Sequence, residues 1–191
     1  KDDEKEYNAK DVETNELGSS NRGNDEHIVG AYIVPGSGSA MKCNDIVKEG
    51  LIKFFEKYEN TYYKDKVSKV VIYCGNIENL EENIYPFVSE FVAKRGLNPN
   101  EVILKYHKGN KKYSLPKENE LEFLSLDKAF SKKRIILLVG IGKEGWDCRS
   151  LTGVILSQKG DCPVKMVLQT ACRCLREATR GEKETALIYL N

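Results

Sequence analysis

The sequence predicts an α/β fold, a mostly parallel sheet with helices on both faces. Three observations lead there. Short apolar runs of strand length recur along the chain, and Lys69–Cys74 (KVVIYC) and Arg134–Val139 (RIILLV) are apolar almost throughout, as strands buried on both faces are. Between such runs lie stretches whose apolar residues recur at helical spacing. Strands that alternate with helices in this way pair in parallel and are covered on both sides.

Taken in order, residues 1–26 are polar, with a Gly18-Ser19-Ser20-Asn21-Arg22-Gly23 run, and are expected to be a linker, tail or exposed hairpin. The domain is expected to fill residues 27–191. His27–Val34 (HIVGAYIV) reads as a strand, and Pro35–Ala40 (PGSGSA) as plain turn chemistry more readily than as a phosphate cradle. From Asn44 to Tyr58, the positions of Ile46, Val47, Leu51, Ile52, Phe54 and Phe55 predict a helix. Lys69–Cys74 is the next strand. Leu80–Lys94 is a helix that Pro86 is expected to kink, with Gly96 at the C-cap. Glu101–Tyr106 is a strand, His107–Glu118 a polar loop and Leu121–Phe130 a helix. The strands Arg134–Val139 and Leu151–Leu156, the helix Val164–Ala178 and the strand Glu184–Leu190 complete the series.

The bulk numbers exclude several classes. With 30 basic and 29 acidic side chains among 191 residues, the net charge is near zero. No global basic signature marks the chain for nucleic acid, so any such contact is local. The opening stretch is charged, so no signal peptide is expected. No apolar run reaches the ~18 residues of a membrane helix. The chain starts at Lys1 rather than Met and is expected to be a soluble, cytoplasmic piece of something longer. Six cysteines (Cys43, Cys74, Cys148, Cys162, Cys172, Cys174) read as reduced thiols in such a setting. A zinc site from Cys148, Cys162, Cys172 and Cys174 is the alternative, weakened because no C-x-x-C pair exists. No metal is therefore expected on this chain's own residues.

In open parallel sheets ligands gather beyond the carboxyl ends of the strands. That draws attention to Gly75–Asn76, His107–Asn110 and Gly140–Asp147. In the last stretch two glycines allow close backbone approach, Lys143 offers a cation and Asp147 a carboxylate. A tight loop with a structural Asp cap is the plainer alternative. On the helix that follows, Gln169, Arg173 and Arg176 share one face, and two guanidiniums beside an amide suit a ligand with many anionic oxygens. A solvated face paired with Glu177 is the alternative there. Trp146 is expected to pack under its neighbours rather than to stack a base or an adenine. His27 and His107 lack a paired nucleophile and are assigned no acid–base role.

Together the two stretches carry a family resemblance. Gln169-Thr170-Ala171-Cys172-Arg173-Cys174-Leu175-Arg176 resembles motif VI of superfamily 2 helicases, Q-x-x-G-R-x-x-R, with Cys172 where most relatives have Gly. Glu144-Gly145-Trp146-Asp147 resembles motif V in the E-G-W-D form typical of type III restriction subunits and related translocases. Val70–Asn76 (VVIYCGN) is similar to motif IV, and Tyr106-His107-Lys108-Gly109 to the "hG" segment that follows the next strand. The resemblance spans about Lys69 to Asn191.

It implies a RecA-like three-layer α/β/α domain, the second motor lobe of an ATP-dependent DNA helicase or translocase, closest to the restriction subunit of a type III restriction-modification enzyme. Such lobes close on ATP and Mg²⁺ held mainly by a first RecA-like lobe in the same chain. This sequence has no G-x-x-x-x-G-K-[ST] and no D-E-x-H, so it is not expected to hydrolyse ATP alone. By resemblance, Arg176 is the arginine finger, Arg173 its partner on the phosphates, and Gln169 orients the cluster or the attacking water. Gly145 and Asp147 meet the nucleotide with Arg173 and Arg176. DNA is held near Gly75, Asn76, Lys108, Gly109 and Asn110, through backbone amides, and by Lys143. The implied partners are DNA, the first lobe and a methyltransferase subunit, with an endonuclease domain further along and no membrane. Another superfamily 2 DNA or RNA helicase is the nearest alternative, and a non-motor flavodoxin-like or nucleotide-sensing module the remote one.

Overall fold

A computed structural model describes residues 5–8, 29–35, 43–63, 65–140, 148–157 and 184–190. The elements in chain order are β1 (Lys5–Asn8), β2 (Val29–Pro35), α1 (Cys43–Tyr58), β3 (Tyr62–Tyr63), β4 (Lys66–Val67), β5 (Lys69–Tyr73), α2 (Ile77–Asn79), a π-helical segment (Leu80–Ile84), α3 (Tyr85–Lys94), α4 (Pro99–Val102), β6 (Ile103–Tyr106), α5 (Lys117–Leu124), β7 (Ile135–Leu138), β8 (Leu151–Leu156) and β9 (Glu184–Leu190). Among the described residues the main sheet has seven strands, in the order β1-β2-β9-β8-β5-β7-β6. Every pairing in it is parallel except that of β1 with β2. The expected mostly parallel sheet with flanking helices is what forms.

The layers follow from strand periodicity. Successive side chains of a strand point to opposite faces. Val70 and Ile72 of β5 therefore join one core with Ile135, Leu137, α1 and α3. Val71 and Tyr73 join a second core with Ile136, Leu138 and the Phe123 and Leu126 side chains at α5. Because both faces are covered, β5 is apolar nearly throughout. Opposite β8 the register shifts between Lys69, which pairs with Leu151, and Val70, which pairs with Gly153. The extra residue, Thr152, turns Leu151 to the same face as Val154 and Leu156.

Helix α1 lies close on β8 because two glycines meet two large side chains. A Cβ on Gly50 would come within 2.7 Å of Ile155, and one on Gly153 within 2.9 Å of Phe54 and Val70. Arg134 closes the C-terminal end of α1, donating to the carbonyls of Tyr58 and Glu59 at 2.9 Å each, where a cation also meets the negative end of the helix dipole.

The expected disturbance at Pro86 takes the form of a wide turn just before it. Tyr85 N–H reaches back to Leu80 O, and Pro86 stands in the first turn of α3. Proline cannot donate to the carbonyl one turn earlier, and the π-helical segment absorbs the mismatch. At the far end Gly96 takes φ 76°. Its N–H bonds to Ala93 O and that of Leu97 to Val92 O, the closure that a left-handed glycine permits.

Some boundaries differ from expectation. The strand foreseen at Glu101–Tyr106 starts at Ile103, because Asn98 caps and Pro99 opens the short helix α4. The helix foreseen at Leu121–Phe130 is shifted: α5 starts behind Pro116 and ends at Leu124, with Phe123 stacked on Tyr106 at 4.0 Å between ring centroids. Lys5–Asn8, within the segment read as linker, tail or hairpin, pairs with β2 as an edge strand. The β3–β4 hairpin was not foreseen. The helix foreseen at Val164–Ala178 lies outside the described residues.

This topology singles out one end of the sheet. The chain leaves β5 toward β6, passing over β7, whereas β7 leads to β8 and β8 to β9 in the opposite direction. Neighbouring strands whose connections diverge open a crevice at their carboxyl ends.

Candidate functional site

The carboxyl ends of the four strands around β5 are fastened together. Cys74 N–H donates to Leu138 O at 2.9 Å, Val139 N–H to Tyr106 O at 3.1 Å, and the buried Ser157 hydroxyl to Tyr73 O at 2.6 Å. From this rim three turns depart. After β5, Gly75 takes φ 78°. Asn76 then caps α2, its Oδ1 accepting Asn79 N–H at 2.7 Å, while Asn79 Nδ2 donates to Cys74 O at 2.8 Å. After β7, Gly140 takes φ 61°.

The turn after β6 is the most organised. Gly109 takes φ 74°, and its N–H donates to His107 Nδ1 at 2.9 Å. Asn110 N–H donates to Tyr113 O at 2.8 Å. Asn110 Oδ1 accepts the N–H groups of Lys112 and Tyr113 at 2.9 and 2.7 Å. Three glutamates beyond β5 hold this loop from the side. Glu78 accepts from Asn110 Nδ2 at 2.7 Å. Glu81 meets His107 Nε2 at 3.1 Å and Lys105 Nζ at 2.8 Å. Glu82 accepts from Lys112 Nζ and the Tyr113 hydroxyl, both at 2.6 Å. Burial works to raise the Glu81 carboxyl, but its hydrogen bonds from Lys105 and His107 prevail and hold it below the ordinary carboxylate value. The Lys105 ammonium also sits 4.4 Å over the Tyr85 ring.

Two of the sequence-predicted contact segments, Gly75–Asn76 and Lys108–Asn110, thus come to one rim, joined through the Glu78–Asn110 bond. Their chemistry differs from expectation in one respect. The backbone N–H groups of Asn76, Gly109 and Asn110 all point to internal acceptors, so they do not form an open amide cradle. What faces outward is side chain: Asn76, Lys108, Asn110 and Lys111 are exposed, and among the described residues Lys108 and Lys111 have no acidic partner. Lys143, Gly145, Trp146, Asp147, Gln169, Arg173 and Arg176 lie outside the described residues. Their stretches follow β7 and β8, whose carboxyl ends belong to this rim.

Sequence reasoning missed the His107–Glu81 pair, which joins residues 26 positions apart; only the glycine after His107 hinted at a shaped turn. A second polar cluster went equally unseen at the amino ends of β5 and β8. There Asp127 accepts Lys66 Nζ at 3.1 Å, and the Ser150 N–H and hydroxyl at 3.1 and 2.9 Å, beside fully buried Lys69. A groove of about 310 Å³ lined by Glu101, Glu122, Phe130, Lys132 and Lys133 also lies at that amino end. Cys74 and Cys148 are buried thiols. Among the described residues no cluster of His, Cys, Asp and Glu could hold a metal, and no helix is long and apolar enough to cross a membrane.

No model of a protein family matches the sequence, and no curated protein does. Among solved structures the chain is similar to Mss116p DEAD-box helicase domain 2 bound to an RNA duplex, with TM-score 0.46 and 15% identity over 85% of this chain and 54% of that one. It is also similar to the Pyrococcus furiosus Hef helicase domain, with TM-score 0.45 and 15% identity over 78% of this chain and 26% of that one. The chain therefore spans 54% of the length of one neighbour and 26% of the other. Likeness of this order carries no argument about what the chain does.

Proposed function

We propose that this chain is the second motor lobe of a superfamily 2 DNA helicase or translocase, of the kind found in the restriction subunit of type III restriction-modification enzymes. The observation that carries the reading is the pairing, in one sequence, of Glu144-Gly145-Trp146-Asp147 after β7 with Gln169-x-x-x-Arg173-x-x-Arg176 after β8. The parallel sheet supports it, because both motifs follow strands whose carboxyl ends flank the crevice at β5. In this reading Gly145, Asp147, Arg173 and Arg176 meet an ATP held, with Mg²⁺, mainly by a first lobe. Arg176 stabilises the charge that develops on the transferred phosphoryl group, and Gln169 orients the cluster. Gly75, Asn76, Lys108, Gly109 and Asn110, with Lys143, carry the DNA backbone, the lysine ammoniums rather than the amides supplying the charge. Contacts of that sort suit a motor that moves on any sequence.

A methyltransferase subunit and an endonuclease domain belong to the finer part of the proposal. The test is ATP turnover by the intact protein with DNA and with RNA added separately. Stimulation by DNA alone is expected. Stimulation by RNA favours the second reading, another superfamily 2 helicase, and stimulation by neither rejects both. Recovery of a methyltransferase with the intact protein tests the restriction assignment.

A further inference from the structure

His107 is enclosed and makes two bonds of different kinds. Its ring is fully shielded from solvent. Nδ1 accepts Gly109 N–H at 2.9 Å, so that nitrogen carries no proton. Nε2 lies 3.1 Å from Glu81 Oε1, and a proton there is donated to the carboxylate. One ring thus ties the first turn of the β6 loop to the π-helical segment after β5. The groups facing it are Glu81, whose other oxygen holds Lys105, and the loop backbone.

The loop needs this tie. Gly109 stands in the left-handed region at φ 74°, with Tyr113 O 3.2 Å from where a Cβ would be. The acceptor that fixes that turn on its N-terminal side is His107 Nδ1. On the C-terminal side the turn is fixed by Asn110, which also bonds to Glu78. Lys108 projects between these two anchors. Lys108 is exposed there, and the backbone on either side of it is held.

We propose that His107 is a positioning residue that presents the Lys108–Lys111 face of the loop to a nucleic-acid backbone, through the bond from Gly109 N–H to Nδ1. This rests on the reading of the rim as a nucleic-acid surface. It gives a function to a side chain that, among the described residues, has no acid–base partner other than Glu81. It also separates the two bonds: the Gly109 bond shapes the loop, and the Glu81 bond only steadies the ring.

The two bonds can be separated by substitution. In His107→Asn the amide oxygen stands near the place of Nδ1 and can accept Gly109 N–H. In His107→Gln the amide nitrogen stands near Nε2 and can reach only Glu81. The experiment compares wild type, His107→Ala, His107→Asn and His107→Gln in the intact protein by amide hydrogen exchange over residues 105–113, by affinity for a single-stranded DNA oligonucleotide, and by kcat for ATP at saturating oligonucleotide. The expected result is faster exchange and roughly ten-fold weaker binding in the Ala and Gln variants, kcat within about two-fold, and recovery of exchange and affinity in Asn. If wild type binds and His107→Ala changes neither exchange nor affinity, or Asn and Gln behave alike, the inference is overturned and the rim reading stands. If wild type does not bind the oligonucleotide, the rim reading fails, and the exchange pattern alone decides whether His107 holds the loop.

Discussion

Two polar clusters brace this sheet at opposite ends, and they differ in what they leave over. At the amino end Asp127 gathers Lys66 and both donors of Ser150. Lys69 beside it donates to Val67 O at 2.9 Å. Burial holds the Lys69 ammonium below its usual pKa, against the pull of Cys148 and Asp127. Burial also pushes the Cys148 thiol up to about 11. At the carboxyl end Glu78, Glu81 and Glu82 hold a loop whose neighbouring lysines, Lys108 and Lys111, stay exposed. The first arrangement pairs its charges with one another and braces the strands. The second uses three carboxylates to shape a surface and leaves cations on it. A polar cluster in an α/β sheet is therefore informative about function when its satisfied groups frame unsatisfied ones.

The largest expected effect tests the amino-end cluster. Asp127→Ala removes the acceptor of Lys66, Ser150 and the Cys148 thiol and leaves Lys69 buried beside an emptied site, so unfolding in urea should show a loss of about 3 kcal/mol. Native-state nucleic-acid affinity should not change. A loss below about 1 kcal/mol would mean that the cluster does not brace the sheet. At the other end Glu81→Gln should cost about 1 kcal/mol, since Lys105 keeps its contact with Tyr85 and the amide can still accept one bond.

The two carboxyl groups also set a pH dependence. Asp127 is held below its ordinary value: burial opposes this, but hydrogen bonds from Lys66 and Ser150 outweigh it. Glu81 is held down in the same way. Their contribution is complete above the ordinary values of 3.8 and 4.5 and is lost as pH falls through the lower folded-state values. Stability should therefore drop on acidification below about pH 4.5, and the drop should be shallower in Asp127→Ala than in wild type. The smallest effect is expected at the exposed end of the ladder. Glu82→Gln breaks an ion pair in water, so thermal unfolding should stay within experimental error of wild type. A clear fall in Tm would show that the loop is fastened more by its rim than by His107.

Much of the fold was legible because local chemistry and burial agreed. Leu151–Leu156 and Glu184–Leu190 are bounded apolar runs, and both strands formed as read. Gly96 marked the end of its helix because a left-handed residue was needed there. Reading failed where two signals competed. The Asn98-Pro99 start of α4 was overridden by the apolar run behind it, and the helical spacing up to Phe130 masked a start fixed by Pro116. At the rim, Gly75 and Gly109 marked the turns. The acceptors of their neighbours' N–H groups were not legible, since His107 meets Glu81, and Asn110 meets Glu78, only after the chain has crossed the sheet and returned.

The proposed arginine finger is tested most directly by DNA-stimulated ATP turnover of the intact protein carrying Arg176→Ala, with folding checked by circular dichroism. An arginine finger is worth ~10³–10⁵ in rate, so a loss of about 10³-fold or more in a folded protein is expected. Turnover equal to that of wild type would contradict it.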